Sequence, residues 1–456
     1  MFSLSHNPKL GNHLTSTSKI NPGDNVFIEC PLAFVPAFPL LHKRCDVCAK
    51  PAHNPLICPD CNLFCYCSSC SPLFHSTSEC EVLKYFHHLP SDDGYSSLML
   101  LRLALRIISL PPESSHLIHS FCSASPIPDH KLSHYSQLKE LLINLGSSDF
   151  DISLFSRIEL NSHDVPDIDF TTQSSGMALY PHGRLLTHSC TPNTSACTKT
   201  GSFCLTCLSD VLPNEPLTIT YVDNLKCFHE RSFDLESRYG FICECEGCLG
   251  NKVLPNCTVF CPVCVERSER DEEKDEGEFT VFELHGSEYE CRRCESSQEL
   301  IVSSLQSKIN QILSSFSSGV SKFTADPARS FYDFSSVLYQ VDGFPGKKGK
   351  KILTQNNSIT ISTIPYFIQS VIDNKVIQLE KKKELLDWCF VVISPFLQYS
   401  PSTATQIYQY YYAWLKQVDA SSTRCGEAVA AAVFYAKMYG GVDEEQRVLA
   451  LLRSVD

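Results

Sequence analysis

The sequence predicts an α+β protein in which short strands come first, cysteine-rich modules interrupt them, and an all-helical region ends the chain. Three observations support this class. Short β-like runs separated by turns extend to about residue 223, close cysteine pairs recur up to Cys294, and helical apolar patterns replace both from about Glu299 onward. The chain has 456 residues, which is enough for roughly two to four domains.

Composition restricts the partners and the compartment. The formal net charge is −13, which argues against general binding to nucleic acid or anionic membranes and favours basic protein segments. The lysine clusters at 347–351 and 381–383 are most simply solvated surface, with a nuclear-import or nucleic-acid signal as the alternative. The chain lacks an apolar run of ~18 residues and a signal-peptide core, so we expect a cytoplasmic or nuclear protein without a membrane anchor.

The elements follow from local patterns. Strands are predicted at 26–29, 203–208 and 216–222, where β-favouring residues lie between turns. Helices are predicted at 97–110, 131–145, 225–238, 300–316, 379–397, 403–418 and 427–439, the last capped by Gly440-Gly441. The helical end is compatible with tandem tetratricopeptide-like hairpins, although no fixed repeat period is present.

Close cysteine pairs in a reducing compartment indicate zinc rather than disulfides. The first cluster supplies eight ligands for two tetrahedral sites: Cys45, Cys48, Cys58, Cys61, Cys67, Cys70, His75 and Cys80. Free buried thiols are the alternative, but they would not explain the paired spacing. Because this segment has little apolar core of its own, metal binding would supply its folding free energy.

Two further cysteine groups follow. Three thiolates at Cys243, Cys245 and Cys248 need a fourth ligand to complete a tetrahedral site, and Cys227 is one candidate. Two more pairs, on either side of an acidic run at 270–278, predict a zinc ribbon: Cys261, Cys264, Cys291 and Cys294. Together these groups predict about four zinc ions in the chain.

The first cluster resembles a MYND finger in its order of ligand pairs and in the Tyr66-Cys67 dipeptide. The resemblance implies interleaved pairing, in which one zinc takes Cys45, Cys48, Cys67 and Cys70 and the other takes Cys58, Cys61, His75 and Cys80. The stretch from Cys67 to His75 is shorter than in the family, the usual Trp before the His is missing, and Cys65 is extra.

Four motifs in order resemble the SET-and-MYND methyltransferases over residues 10–250. Gly11–Leu14 with Pro22-Gly23 resembles the opening SET strand, and the segment ending Thr187-His188-Ser189-Cys190-Thr191-Pro192-Asn193 resembles the Asn-His-Ser-Cys-x-Pro-Asn signature. Glu215–Tyr221 resembles the motif that ends in the catalytic tyrosine, and Tyr239–Cys248 resembles the post-SET segment. His13 and Thr187 depart from the family, which has Gly and Asn at these positions.

The resemblance implies a domain order. It consists of the N-terminal part of a split SET domain (1–44), a MYND-type zinc finger (45–80), a helical SET insertion (81–160), the catalytic SET core (161–225), a post-SET zinc segment (226–250), a zinc ribbon (251–298) and a C-terminal helical, tetratricopeptide-like domain (299–456). Cys190 would complete the post-SET site in place of Cys227.

The resemblance also implies the functional residues of an S-adenosylmethionine-dependent protein-lysine methyltransferase. Tyr221 would be catalytic, and Tyr239 with Phe241 would line the lysine channel. The cofactor would be held by Gly11, Asn12, Asn161, Thr187, His188, Tyr221 and Phe241. For Tyr221 a packed core tyrosine, and for His188 a packed or capping histidine, are the alternatives from the residues alone.

The chemistry fits a lysine substrate, because a lysine ammonium has no lone pair and must be deprotonated by desolvation before methyl transfer. The predicted partners are a substrate protein and peptides that dock on the finger. The second hypothesis is an inactive SET/MYND adaptor, which the departures at His13 and Thr187 favour. A zinc-finger nucleic-acid binder is a third, which the acidic balance and the absence of a basic helix beside the fingers oppose.

Overall fold

The α+β class is confirmed, with short strands in the first half and helices in the C-terminal region. A computed structural model describes residues 1–37, 41–52, 54–70, 75–87, 94–110, 127, 129–147, 149–166, 174–199, 201–250, 254–255, 259–260, 281–282, 298–323, 325–345, 352–419 and 421–453. The chain divides into two compact units. Unit 1 contains Met1–Thr187, Asn193–Ile219 and Arg238–Gly240, and unit 2 contains His188–Pro192, Thr220–Ser237 and Phe241–Asp456.

The strands are short throughout. In chain order they are β1 (Phe2–Asn7), β2 (Gly11–Ser16), β3 (Asn25–Glu29), β4 (Ala33–Pro36), β5 (Leu56–Ile57), β6 (Cys65–Tyr66), β7 (Ser162–Pro166), β8 (Ser174–Leu179), β9 (Thr187–His188), β10 (Thr194–Lys199), β11 (Ser202–Cys207), β12 (Thr218–Ile219), β13 (Val259–Phe260) and β14 (Val281–Phe282). In unit 1, β1 and β2 form an antiparallel hairpin, and two three-stranded sheets have the orders β10-β11-β3 and β4-β8-β7.

The helices are longest toward the C-terminus. They are α1 (Thr77–His87), α2 (Gly94–Ile108), α3 (Asp129–Asn144), α4 (Ser153–Asn161), α5 (Phe228–Tyr239), α6 (Gln298–Phe323), α7 (Phe331–Leu338), α8 (Ser358–Asp373), α9 (Leu379–Leu397), α10 (Pro401–Val418) and α11 (Thr423–Arg453). None of the helices in the described residues is long and apolar enough to cross a membrane.

In unit 1 the cysteine-rich segment shares a hydrophobic core with the helices that follow it. Leu63 and Phe64 from this segment cluster with Leu101 of α2 and Phe155 of α4, and all four are buried. The composition of this segment suggested that metal binding would supply its folding free energy. In the structure, neighbouring helices also supply apolar surface that stabilises it.

In unit 2 the core is formed mainly by α6 to α11, with central residues such as Phe334, Phe367 and Phe396. Leu225, which follows the predicted catalytic tyrosine by four positions, is buried in the same cluster. The short segment after Tyr221 is therefore packed on the C-terminal helices.

Several element predictions need correction. The strand predicted at 216–222 is only Thr218–Ile219, because Pro216 has no N–H and the Asn193 side chain occupies the neighbouring hydrogen-bonding groups. Its Nδ2 donates to the Pro216 carbonyl at 2.9 Å, and its Oδ1 accepts from Thr218 N–H at 2.8 Å. The helix predicted at 225–238 begins at Phe228, because the Glu230 carboxylate accepts the Cys227 N–H at 2.9 Å and fixes the start of the helix there.

The helix predicted at 427–439 runs from Thr423 to Arg453 with a break at the two glycines. Gly441 has φ 69°, which is the left-handed conformation expected of a cap, but the chain resumes a helix after it. Helix α8 was not predicted, and it contains Pro365, a residue that normally argues against a helix interior.

Candidate functional site

Four thiols from two Cys-x2-Cys pairs meet in unit 1. Their sulfur atoms all lie within 4.8 Å of one another, and we call this group site A: Cys45, Cys48, Cys67 and Cys70. The N–H groups of Val47 and Cys67 donate to Cys45 Sγ at 3.4 and 3.3 Å. Such donors stabilise a thiolate, which is the form that binds metal.

The second group in unit 1 contains three cysteines and a histidine, and we call it site B: Cys58, Cys61, His75 and Cys80. His75 Nε2 lies 3.6 Å from Cys61 Sγ, while its Nδ1 faces a Glu79 oxygen at 3.4 Å. The ring of His75 stacks on Phe64 with centroids 4.1 Å apart. The Glu79 carboxylate beside the second ring nitrogen and the face of Phe64 orient the histidine toward the three thiols of site B.

The extra cysteine belongs to neither site. Cys65 is buried, and its thiol donates to the Arg44 carbonyl at 2.9 Å. Burial raises the pKa of Cys65 to about 12, so the group stays a thiol at neutral pH. The grouping of sites A and B is the interleaved one that the resemblance implied.

In unit 2 four cysteine sulfurs form a third group, site C: Cys190, Cys243, Cys245 and Cys248. Cys190 Sγ lies 3.5 Å from Cys248 Sγ. Of the two candidates for the fourth ligand, Cys190 lies with the three thiols and Cys227 is not a member of the group. Gly247 is tightly packed here, since a Cβ atom at this position would lie 2.6 Å from Leu254 Cδ1 and 2.9 Å from Thr191 Cγ2.

The donor sets of sites A, B and C fit structural zinc. Four thiolates, or three thiolates and one imidazole, are the sets that Zn²⁺ takes in closed tetrahedral sites. The predicted ribbon ligands Cys261, Cys264, Cys291 and Cys294 lie outside the described residues. Among the described residues of 251–298, β13 and β14 form an antiparallel pair.

Beside site C, three aromatic residues of unit 2 come together. The His188 ring lies 5.3 Å from the Tyr221 ring and 5.9 Å from the Phe241 ring. His188 Nδ1 accepts the Tyr221 backbone N–H at 3.0 Å, and its Nε2 lies 3.3 Å from Cys190 Sγ. With Nδ1 as the acceptor, the Nε2–H is directed toward the sulfur. His188 thus connects Cys190 of site C to the backbone of Tyr221.

The predicted residues of the N-terminal hairpin lie in unit 1. Gly11 has φ 64°, and no atom lies within 4 Å of where a Cβ would be, so the space beside its α-carbon is open. The Asn12 Oδ1 is 2.9 Å from His6 Nδ1. His13, which replaces a family glycine, is buried and bonds through Nδ1 to the Gly11 carbonyl at 2.9 Å. Its bulk is therefore accommodated by packing and hydrogen bonding.

Two other predicted cofactor residues of unit 1 differ in their bonding. Thr187 Oγ1 is buried and has no hydrogen-bond partner among the described residues, as expected for an atom awaiting a polar ligand group. Asn161 is also buried, but its Nδ2 donates to the Arg157 carbonyl of its own helix at 2.7 Å. Tyr239, the predicted channel residue, ends α5 and is half-buried.

Sequence reasoning missed a buried ionic cluster that packs α2 against the cysteine-rich segment. We call it the ionic cluster: Asp46, Glu79, Arg102 and Arg106. Each side chain is at most 3% exposed. The only signal in the sequence was the pair of arginines four positions apart on an otherwise apolar helix.

The comparisons with known proteins agree with this geometry. The SET domain family matches residues 11–222. The mouse histone-lysine N-methyltransferase SMYD3 is 27% identical over 257 residues, which are 52% of this chain and 59% of the relative. The Arabidopsis thaliana histone-lysine N-methyltransferase ASHR1 is 25% identical over 267 residues, 54% of each chain. The human N-lysine methyltransferase SMYD2 is 29% identical over 107 residues, 23% of this chain and 24% of the relative.

The SET family match includes the Thr187–Asn193 segment and ends one residue beyond Tyr221. The relatives named above carry the names of lysine methyltransferases, and this chain is similar to them over part of its length. The chain spans somewhat more than half the length of the first relatives it matches.

Proposed function

We propose that the protein is an S-adenosylmethionine-dependent protein-lysine N-methyltransferase whose reaction takes place beside Tyr221. The observation that carries the proposal is the junction of Tyr221, His188 and Phe241 next to the four thiols of site C. This is where the SET resemblance expects the tyrosine, the signature histidine and the post-SET aromatic residue.

The side chains have complementary tasks in this reaction. A lysine ammonium has a pKa of about 10.4 in water and cannot act as a nucleophile until it loses its proton. The rings of Tyr221 and Phe241 would exclude water and favour the neutral amine, since desolvation disfavours the charged form. The Tyr221 hydroxyl would orient the amine for in-line attack, and the His188 bond to the Tyr221 N–H would hold that strand end in place.

When bound, S-adenosylmethionine would supply the methyl group from its sulfonium. The residues proposed to hold it are Gly11, Asn12, Asn161, Thr187, His188, Tyr221 and Phe241. Two features support the fit: the open space beside the α-carbon of Gly11 and the unsatisfied buried Oγ1 of Thr187. Threonine offers one hydroxyl where an asparagine amide would both donate and accept, so we expect weaker cofactor binding than with asparagine.

We also propose zinc at sites A, B and C, where it would supply folding free energy and hold the segments together. On this basis 45–80 is a MYND-type finger, 226–250 a post-SET segment, and 299–456 a tetratricopeptide-like helical domain. The order of 1–44, 81–160, 161–225 and 251–298 follows the same family plan. The finger is proposed to bind partner peptides, and the substrate is proposed to be a histone or another protein in the cytoplasm or nucleus.

The test is transfer of labelled methyl groups from S-adenosylmethionine to proteins of a cell lysate by the full-length chain. We expect Tyr221→Phe to lower transfer by about 100-fold or more, the scale seen when a catalytic hydrogen-bonding group is removed. Tyr332→Phe is the matched control, because that tyrosine is 71% exposed on α7. A Tyr221→Phe variant as active as the control would refute the catalytic assignment.

Calorimetry with S-adenosylmethionine separates the second hypothesis from the first. Binding accompanied by transfer supports the enzyme. Binding without transfer to any lysate protein would instead support the adaptor that the departure at Thr187 suggested.

A further inference from the structure

We infer that Asn224 is a positioning residue for the reaction, through which the C-terminal helical region of unit 2 fixes the backbone of Tyr221. This inference rests on the proposed function, because it assigns Asn224 a task at the same site. Asn224 is 3% exposed and lies three positions after Tyr221. A buried amide so close to the proposed reacting group needs partners for all its polar atoms, and these partners indicate its role.

The first partner lies on the C-terminal side. Asn224 Nδ2 donates to the backbone carbonyl of Tyr399 at 3.2 Å, just after the end of α9. The next residue, Leu225, is buried in the core formed by α6 to α11. The segment after Tyr221 is therefore fixed to the helical region by one polar and one apolar contact, and all of these residues belong to unit 2.

The second partner lies directly beside the tyrosine. The Thr220 hydroxyl lies 2.9 Å from Asn224 Oδ1 and also contacts the Val222 carbonyl, so its one proton is shared between these two acceptors. The same hydroxyl accepts the Val222 N–H at 3.3 Å. This side-chain turn spans Tyr221, since it joins the residue before the tyrosine to the residue after it. Together with the His188 bond to the Tyr221 N–H, it fixes the peptide groups on both sides of the tyrosine.

The chain of contacts thus runs from the Tyr399 carbonyl through the Asn224 amide to the Thr220 hydroxyl that spans Tyr221. Removing the Asn224 side-chain amide would keep the Tyr221 side chain but would remove the contacts that hold the backbone on the C-terminal side of Tyr221. Because misplacement of a reacting group by about 1 Å can cost about 100-fold in rate, the effect should appear in kcat. The KM for the cofactor should change little, since Asn224 is not among the residues proposed to bind it.

The experiment uses the full chain and four variants. Asn224→Ala removes the bonds to both Tyr399 and Thr220. Asn224→Asp keeps the acceptor for Thr220 but removes the donor to Tyr399. Thr220→Val removes the hydroxyl that connects Asn224 to the residues beside Tyr221. We expect each to lower kcat by about 10- to 100-fold with KM for S-adenosylmethionine within about 3-fold. The kcat of the Asn224→Ala/Thr220→Val double variant should fall no further than that of the more severe single variant, because both changes interrupt the same series of hydrogen bonds.

Asn374→Ala is the matched control. Asn374 is also a buried asparagine of the helical region, and its Oδ1 accepts the Val376 N–H at 2.9 Å, so its bond stays within that region. Asn374→Ala should lower the free energy of unfolding by an amount similar to that of Asn224→Ala while leaving kcat at the wild-type value. Equal losses of kcat in Asn374→Ala and Asn224→Ala, or unchanged kcat in Asn224→Ala, would overturn the inference.

Hydrogen exchange gives a readout that does not depend on activity. In Asn224→Ala the amides of Tyr221 and Val222 should exchange roughly 5-fold faster or more than in the wild type, which corresponds to the loss of about one net hydrogen bond. If the wild-type chain transfers no methyl group but this acceleration occurs, the proposed function fails while the positioning role stands. If exchange at these amides is unchanged, the positioning role fails even in an active enzyme.

Discussion

Replacing Arg102 by methionine should open α2 and the adjoining cysteine-rich segment, because it unbalances the ionic cluster. In the native chain two guanidinium groups face two carboxylates. Arg102 Nε lies 2.9 Å from Glu79 Oε1, and Arg106 NH2 lies 2.9 Å from the same oxygen and 3.1 Å from Asp46 Oδ1. Arg102 also contacts Asp46 directly. Its loss leaves two fully buried carboxylates that share a single guanidinium, that of Arg106.

The expected cost is about 3–5 kcal/mol, the range for removing one partner from a buried ion pair. Hydrogen exchange of peptides from Gly94–Ile108 measures this locally, and that free energy corresponds to roughly 100- to 4,000-fold faster exchange. The control is Arg424→Met. Arg424 lies 2.6 Å from Asp387, but the two side chains are 48% and 47% exposed, so less than about 1 kcal/mol and less than about 5-fold are expected around that pair.

A charge-balanced variant sharpens the test. Arg102→Met combined with Glu79→Gln leaves one cation facing one anion, so its cost should be smaller than the sum of the two single changes. If Arg102→Met accelerates exchange in α2 by no more than the Arg424 control does, or if the two changes add, the ionic cluster does not stabilise the segment as argued.

The remaining predictions concern packing, pH and metal content. Gly319→Ala should destabilise the protein by about 1–3 kcal/mol, because the added Cβ would lie 2.5 Å from the buried Phe334 ring. Gly426→Ala should stabilise it by about 0.5–1 kcal/mol, because this helical glycine has open space around it. Urea unfolding that changes the free energy of unfolding in the same direction for both variants contradicts this. Burial lowers the pKa of His163 from 6.5 to about 4, so the unfolded chain takes up the proton first and stability should fall as pH drops from about 6.5 toward 4. Thermal unfolding of His163→Gln should show a shallower decline over that window, and an equally steep one refutes the assignment. Elemental analysis of Cys243→Ser should find about one zinc ion fewer than the wild type; an unchanged content removes site C as a metal centre.

Most of the correct predictions came from the spacing of residues close together in the sequence. Cys-x2-Cys pairs are short-range features, so the pattern alone indicated metal sites, and the structure brings the twelve predicted ligands of sites A, B and C together. The helix predicted at 379–397 has the same bounds in the structure, although Pro395 lies inside it near its C-terminal end. The choice of Cys190 rather than Cys227 came from family resemblance, since the spacing left both open.

Contacts between residues far apart in the chain could not be predicted from the sequence. The strand predicted from Pro216 onward was wrong in extent because a side chain distant in sequence, Asn193, replaced a neighbouring strand. The contact between Asn224 and Tyr399 joins residues 175 positions apart, and no local pattern encodes it. The ionic cluster is also formed over long range, since Asp46 and Arg102 are 56 positions apart, and its arginine pair on α2 did not indicate its acidic partners.

The most direct measurement identifies the product of methyl transfer. Labelled S-adenosylmethionine is incubated with the purified full-length chain and a cell lysate, the labelled proteins are hydrolysed, and the amino acid that carries the label is determined. Our account predicts label in methylated lysine that depends on the Tyr221 hydroxyl. Recovery of the label in arginine or in carboxyl esters, or equal labelling by the Tyr221→Phe variant, contradicts it.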